Sequence, residues 1–250
     1  MRVSAGFDVE LDLTQALPAD LAARVVCVHN PRARRLCVRL DPAAGQIVLV
    51  RPRRASAAVT LKFLASRVDW IRQHLSALPT PIRFADGASI PIAGKDHILR
   101  LAPEGRGGVW RDGETVMISG RPEFAARRMT DWLKDETRRV LTPMVHAMAE
   151  QIACKVKHVT VRDTCSRWGS CSPDGRLSFS WRLILAPLPV LTYVAAHEVA
   201  HLRHLNHGHA FWRTVDEVLD TYVRDPEMRR EAGLARDWLN RSGAALHRYG

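Results

Sequence analysis

The chain of 250 residues is short of several things. Its five cysteines, Cys27, Cys37, Cys154, Cys165 and Cys171, are odd in number and form no C-x-x-C pair. That argues against a disulfide framework and against a cysteine zinc knuckle, so a reducing cytoplasm is the compartment expected. Long apolar runs are missing as well. No segment approaches the roughly 20 residues of a membrane helix, and the opening residues hold no run fit for a signal peptide. No membrane partner is therefore expected. There is no Gly-rich phosphate loop and no carboxylate cluster suited to Mg²⁺, which weighs against nucleotide chemistry. Internal repeats and low-complexity stretches are absent too.

What remains is an ordinary globular composition, 46% hydrophobic and 25% charged, which can bury a core in one large domain or two modest ones. The net charge is +11 and nearly all of the positive charge is arginine. Arg24, Arg32, Arg34, Arg35, Arg39, Arg51, Arg53 and Arg54 face one acidic residue, Asp41, over the same stretch. Such a run is either a surface for nucleic acid, a nucleotide or another polyanion, or a solvated strand face. Aromatic residues do not interleave with these arginines, so no base-stacking platform is suggested and the solvated face is favoured.

Hydrophobic periodicity and turn residues give the coarse layout. Strands are expected at Phe7–Leu13, Arg24–His29, Arg34–Leu40 and Gln46–Arg51, then a helix capped by Ser56 and running to about Leu78. Strands return at Ser89–Ile92 and His97–Leu101, and Asp112-Gly113 marks a hairpin over Val109–Ser119. Gly120-Arg121-Pro122 is the expected boundary. It separates a β-rich N-terminal module, residues 1–120, of unassigned role and with one long helix, from a second domain, residues 121–250. There a helix from Glu123 to about Cys154 should be bent or divided by Pro143. Strands follow at Lys157–Asp163 and Arg176–Leu183, then helices after Pro187, at Phe211–Val223 and from Glu227 to Ser242. The fold class is α+β.

The most informative stretch is Tyr193-Val194-Ala195-Ala196-His197-Glu198-Val199-Ala200-His201, an H-E-x-x-H pattern with no Gly or Pro between Val190 and Asn206. Leu191, Val194, Ala195, Val199 and Leu202 recur at helical spacing, so the segment reads as a buried helix. His197 and His201 then lie one turn apart and project from one face, where they can share a Zn²⁺. Glu198 is rotated by about 100°, too far to ligate in the same row but able to reach a water at the metal. A catalytic zinc needs a third ligand. His207 fits best if the helix stops near Asn206-His207-Gly208 and the chain folds back. Glu217 is the nearest carboxylate on the next helix. His204 fits worst, because three ligands along one straight helix span about 10 Å.

A second stretch, Arg162-Asp163-Thr164-Cys165-Ser166-Arg167-Trp168-Gly169-Ser170-Cys171-Ser172, gathers Arg, Trp, small hydroxyls and Gly near a strand edge. Zinc peptidases commonly bind substrate as an added strand along such an edge. Gly169 and Ser170 would allow close backbone approach, and Arg167 could steady a carboxylate or an oxyanion. Equally, Trp168 could plug the core while the rest forms a tight turn. Cys165 and Cys171 read as buried thiols.

Together R-D-T-C-S-R-W-G-S-C-S, L-S-F-S-W-R-L-I-L-A-P and H-E-V-A-H-L-R-H-L-N-H-G-H-A-F-W resemble the YgjP-like family of bacterial zinc metallopeptidases, related to the SprT-like and WLM groups. The likeness extends upstream to the Arg-rich hairpins and the helix with Trp70-Ile71. It implies a zincin-like domain, helices packed on a small antiparallel sheet, with His197, His201 and His207 as zinc ligands and Glu198 as general base. Ser180 departs from the pattern, where relatives often carry Asn. The function expected is a metalloendopeptidase acting on polypeptides, with Tyr193, Tyr222 or Arg167 as oxyanion candidates and Trp168, Gly169 and Ser170 near the substrate. The alternatives are a metal-dependent nucleoside triphosphate pyrophosphatase, or a DNA-associated protein with a structural zinc.

Overall fold

A computed structural model describes residues 11–31, 33–41, 45–76, 80–105, 107–164 and 167–250. The chain divides into two compact units, Met1–Pro81 and Ile82–Gly250.

The first unit sets three strands, β1 (Val25–His29), β2 (Cys37–Asp41) and β3 (Gln46–Arg51), beside three helices, α1 (Ala19–Ala22), α2 (Ala57–Ala65) and α3 (Val68–Ser76). The sheet order is β1-β3-β2, with β1 parallel and β2 antiparallel to the central strand. Central β3 carries the apolar run Ile47-Val48-Leu49, and Ile47 and Leu49 close a core with Leu17, Leu21, Leu64 and Ile71. On edge strand β2, Cys37 and Arg39 are exposed while Val38 and Leu40 turn inward, so that arginine stands on a solvated strand face. The expected strand at Phe7–Leu13 falls largely outside the described residues, and Leu13 opens a short 3₁₀ helix, Leu13–Gln15. The single helix expected from Ser56 to Leu78 is two. Ser56 caps α2 by accepting from the Val59 N–H at 3.3 Å. Ser66 ends it, and its hydroxyl donates to the Phe63 carbonyl at 2.7 Å.

In the second unit β4 (Ser89–Ile92), β5 (Lys95–Ala102), β6 (Val109–Asp112) and β7 (Thr115–Ser119) form a sheet of order β4-β5-β7-β6. The Asp112-Gly113 turn forms as expected, with Gly113 at φ 58°. Ile90, Ile92, Leu99, Val116 and Ile118 of this sheet share one core with Met129 and Leu133 of α4 (Ala125–Gln151). That shared core is why the units divide at Pro81 rather than at Gly120: the hairpins bury their apolar face on the helix that follows them. Gly120, at φ 83°, only turns the chain between them, and the Arg128 guanidinium closes over it onto the Ser119 carbonyl. Pro143 neither divides α4 nor stops it. It sits on the exposed face, where water can satisfy the carbonyl a proline leaves free.

A third sheet, β8 (His158–Arg162), β9 (Gly169–Cys171) and β10 (Arg176–Ser180), has order β8-β10-β9. It is mixed rather than antiparallel. β9 turns back on β10 through Ser172–Gly175, whereas β8 lies on the far side of β10 and runs parallel to it. The strand expected to reach Leu183 stops at Ser180, and Trp181–Leu185 form a fully buried 3₁₀ helix. Ser180 caps that helix, its hydroxyl accepting from the Arg182 N–H at 3.4 Å. Thr137 of α4 shares its hydroxyl proton between the Leu133 and Trp181 carbonyls, at 2.6 and 3.0 Å.

Helices α5 (Leu188–Ala200), α6 (His209–Tyr222), α7 (Pro226–Gly233) and α8 (Ala235–Ser242) complete the unit, followed by a 3₁₀ helix, Gly243–Arg248. The last expected helix, Glu227–Ser242, is thus broken at Leu234, next to Gly233. Among the described residues no helix is long and apolar enough to cross a membrane.

Candidate metal centre

α5 is apolar almost all round, with Val190, Leu191, Val194, Ala195, Ala196, Val199 and Ala200 buried, and it runs through the core of the second unit. Pro187 and Pro189 start it, where a proline costs no hydrogen bond. It stops at His201, its C-cap, about a turn earlier than the composition suggests. The chain turns through Leu202–Asn206 and comes back, so His207 returns by a loop rather than from a helix end at Asn206. The Gly208 N–H bonds to the Asn206 side chain at 3.3 Å just before α6 begins.

The result is a cluster. One ring nitrogen from each of His197, His201 and His207 lies within 4.8 Å of the others, and Nε2 of His197 and of His207 are 3.1 Å apart. Two nitrogens each about 2.05 Å from one tetrahedral ion would stand about 3.3 Å apart, so the spacing suits a shared metal. Nδ1 of His201 donates to the His204 carbonyl at 2.9 Å. A carbonyl can only accept, so the proton is on Nδ1 and the Nε2 lone pair is left for a metal. His204 thus orients the His201 ring through its main chain and is not among the three clustered histidines. Glu217 does not join the cluster either: it is half-exposed and pairs with Arg203 at 3.7 Å. Phe211, fully buried at the start of α6, lies 4.5–4.9 Å from all three imidazoles and floors the cluster.

The surroundings of His197 and His207 favour the neutral imidazole, which is the form that ligates. Burial, then the neighbouring His201, His207 and Arg236, pull His197 down to about 4. Burial and the charges of His201 and Arg236 lower His207 in the same direction. Nδ1 of His197 is buried without a hydrogen-bond partner among the described residues. Glu198, next on α5, is 6% exposed, and burial pushes its carboxyl up to about 7 while Arg167 opposes the shift.

These groups open onto a cleft of about 550 Å³. Arg167, Trp168, Gly169, Tyr193, His197, Glu198 and His207 line it, all within the second unit. Gly169 opens β9, the edge strand, and is pressed against the carboxylate. A Cβ built there would lie 2.5 Å from Cγ and Oε1 of Glu198. Trp168 stacks on His247 with ring centroids 5.1 Å apart and leans on Gly243, so it both fills space and borders the cleft. Buried Arg182 donates to Asp163 just past the end of β8.

Two expected residues are not brought in. Ser170 points to the other face of β9 from Gly169, as strand alternation requires, and does not line the cleft. Tyr222 sits at the far end of α6, about 20 Å along the helix from His209. Cys171 is a half-buried thiol pushed up to about 11 by burial and by Glu198 and Asp174. Cys165 lies outside the described residues. Trp212, Arg236, Leu239 and Asn240 also line the cleft, and sequence reasoning missed them all. Only Trp212 carried a signal, standing beside Phe211 within the quoted run after His207.

A profile of the family described as YgjP-like, metallopeptidase domain, matches residues 35–229. The chain belongs to the YgjP-like family. As a YgjP-like metallopeptidase it acts on polypeptides with the help of a metal, and the three-histidine cluster is a centre that could hold one. The chain is also similar to a solved structure described as the metallopeptidase zymogen of Pyrococcus abyssi abylysin, at 18% identity and a TM-score of 0.32. That match covers 40% of this YgjP-like chain and 93% of the other, and a likeness so slight carries no argument. No curated protein matched.

Proposed function

We propose that this cleft is the active site of a zinc metalloendopeptidase, with His197, His201 and His207 as the zinc ligands. The observation that carries the reading is the convergence of three imidazoles beside a buried carboxylate on a cleft bordered by the edge strand β9. Zinc held by three imidazoles supplies a Lewis acid that acidifies water and polarises a carbonyl.

The chain's own residues do the rest. Glu198, its pKa raised by burial to about 7, takes a proton from the attacking water and delivers it to the departing amine. Among the described residues β9 pairs with β10 on one side only, so Gly169–Cys171 offer main-chain groups on which a substrate can lie as an added strand. Glycine at 169 leaves the carboxylate its room and lets the substrate backbone approach. Arg167, close enough to act on Glu198, steadies the oxyanion, and Tyr193, one turn before His197, is the other candidate.

Three described side chains, not four, converge on the centre. A structural zinc site would be closed by four protein ligands, whereas three leave a position for catalysis. The test is Glu198→Gln with zinc content measured alongside hydrolysis of a fluorogenic peptide. The variant should keep its zinc and lose about 10²- to 10⁴-fold in kcat. Undiminished turnover would remove Glu198 from the mechanism.

A further inference from the structure

One wall of the cleft has no part in the chemistry above. Arg236, near the start of α8, reaches into the cleft with Leu239 and, one turn on, Asn240. Its guanidinium lies 5.9 Å over the ring of Trp212, and that ring stands 5.8 Å from both His197 and His207. The cation is thus held within reach of the metal ligands by an aromatic face and not by an acid. No described carboxylate forms an ion pair with it. The acids nearest along α6 are engaged elsewhere: Asp216 and Asp220 hold Arg229 of α7, at 3.2 and 2.5 Å. Across the cleft Arg167 is likewise without a described ion-pair partner, and the only acid among the lining residues is Glu198. A cleft with two guanidiniums, a carboxamide and one carboxylate suits an anionic ligand, and a planar guanidinium suits a carboxylate in two-pronged contact.

We propose that Arg236 is the selectivity residue of this cleft, and that it selects polypeptides bearing a carboxylate near the bond to be cut. The carboxylate is that of an Asp or Glu side chain or of a free C-terminus. Asn240, on the same face of α8, donates alongside it, and Trp212 fixes the guanidinium so that little freedom is lost on binding. The proposal rests on the peptidase reading, and its test keeps the two apart.

The probes are acetylated, amidated peptides of one length and one scaffold, with Gln, Glu or Lys placed at each position in turn, and one further peptide with a free C-terminal acid. They are assayed twice on the full chain. The zinc-loaded parent gives kcat/KM, and Glu198→Gln gives Kd by fluorescence anisotropy without turnover. At one position Glu should exceed Gln by about tenfold or more in both assays, or the free acid should exceed the amide to the same degree if the C-terminus is what is read. Arg236→Met, an exposed position whose apolar stem is kept, should bring that ratio close to one, and Arg236→Glu should turn the preference to Lys. A ratio near one throughout in the parent, a preference that survives Arg236→Met, or no measurable binding of any anionic peptide overturns the proposal. Binding with anion preference but no cleavage sinks the peptidase reading and leaves Arg236 its role. Cleavage without preference does the reverse.

Discussion

Adding one methyl group at Gly169 should disable the centre without touching a metal ligand. The strand backbone at 169 needs no left-handed conformation, so alanine meets no obstacle from the main chain itself. The obstacle is Glu198. The new Cβ would lie 2.5 Å from Cγ and Oε1 and 2.7 Å from Cδ, against an ordinary separation of about 3.5–4.0 Å between carbon atoms. About 1 Å of movement is needed. α5 cannot supply it, because it is packed on nearly every side, so the carboxylate must swing off its place. Overpacking of this kind costs about 1–3 kcal/mol of stability. A catalytic group displaced by about 1 Å loses about 10²-fold in rate. The measurement is kcat on a fluorogenic peptide, with zinc stoichiometry and a thermal melt on the same preparation. Gly169→Ala should bind zinc fully, melt a few degrees lower and turn over about a hundredfold more slowly. Ser170→Ala, on the opposite face of the same strand, should differ little from the parent. If Gly169→Ala retains its zinc and turns over within a fewfold of the parent, the carboxylate is not where the chemistry happens.

Other consequences can be checked as directly. Zinc at about a thousandfold over its Kd should stabilise the second unit by about 4 kcal/mol, about ten degrees in Tm. EDTA should reverse that shift, and His207→Ala should lose most of it. Arg139, then Arg111, hold the Glu136 carboxyl below its ordinary 4.5, so this group's stabilisation is complete above that pH and is lost as pH falls through the lowered value. Glu136→Gln should cost about 1 kcal/mol near neutrality, and its melts should converge with the parent's in acid. Cys171, pushed up to about 11, carries about one part in a thousand of thiolate at pH 8. Mass spectrometry after timed alkylation should find it modified at least tenfold more slowly than exposed Cys37.

The pairing of His197 with His201 beside Glu198 was legible because the helix itself brings the two imidazoles into line, whatever the rest of the chain does. The return of His207 to the cluster was legible for a partly mistaken reason. Asn206 and Gly208 do permit a sharp turn, but α5 has already ended at His201, and a loop through Leu202–Asn206 makes the return. The same early end explains His204. Off the helix axis, its carbonyl is free to take the proton of His201. The three residues of β9 are too few to show any alternation, and the boundary expected at Gly120 followed local turn chemistry while the packing of β4–β7 on α4 lies beyond any local signal. Arg236 and Asn240 were beyond reach altogether. On a helix alone they are two polar residues on an exposed face, and only the approach of α8 to Trp212 gives them a cleft to line.

That difference in origin has a physical consequence. The three-histidine cluster depends on a short length of chain, from His197 to Phe211, in which each imidazole is held by a neighbour within that same stretch. The opposite wall of the cleft depends on α8, which packs on α5, distant in sequence, and carries Arg236 over the Trp212 ring of α6. A substitution in α8 that leaves the core intact can alter what enters the cleft while leaving Nε2 of His197 and of His207 facing each other. A substitution at Phe211 acts first on the other wall, because its ring lies against all three imidazoles. Phe211→Leu would remove the aromatic floor from beneath the imidazoles and loosen the metal before it altered selectivity. The two properties are therefore separable within one cleft, since packing of different ranges holds its two walls.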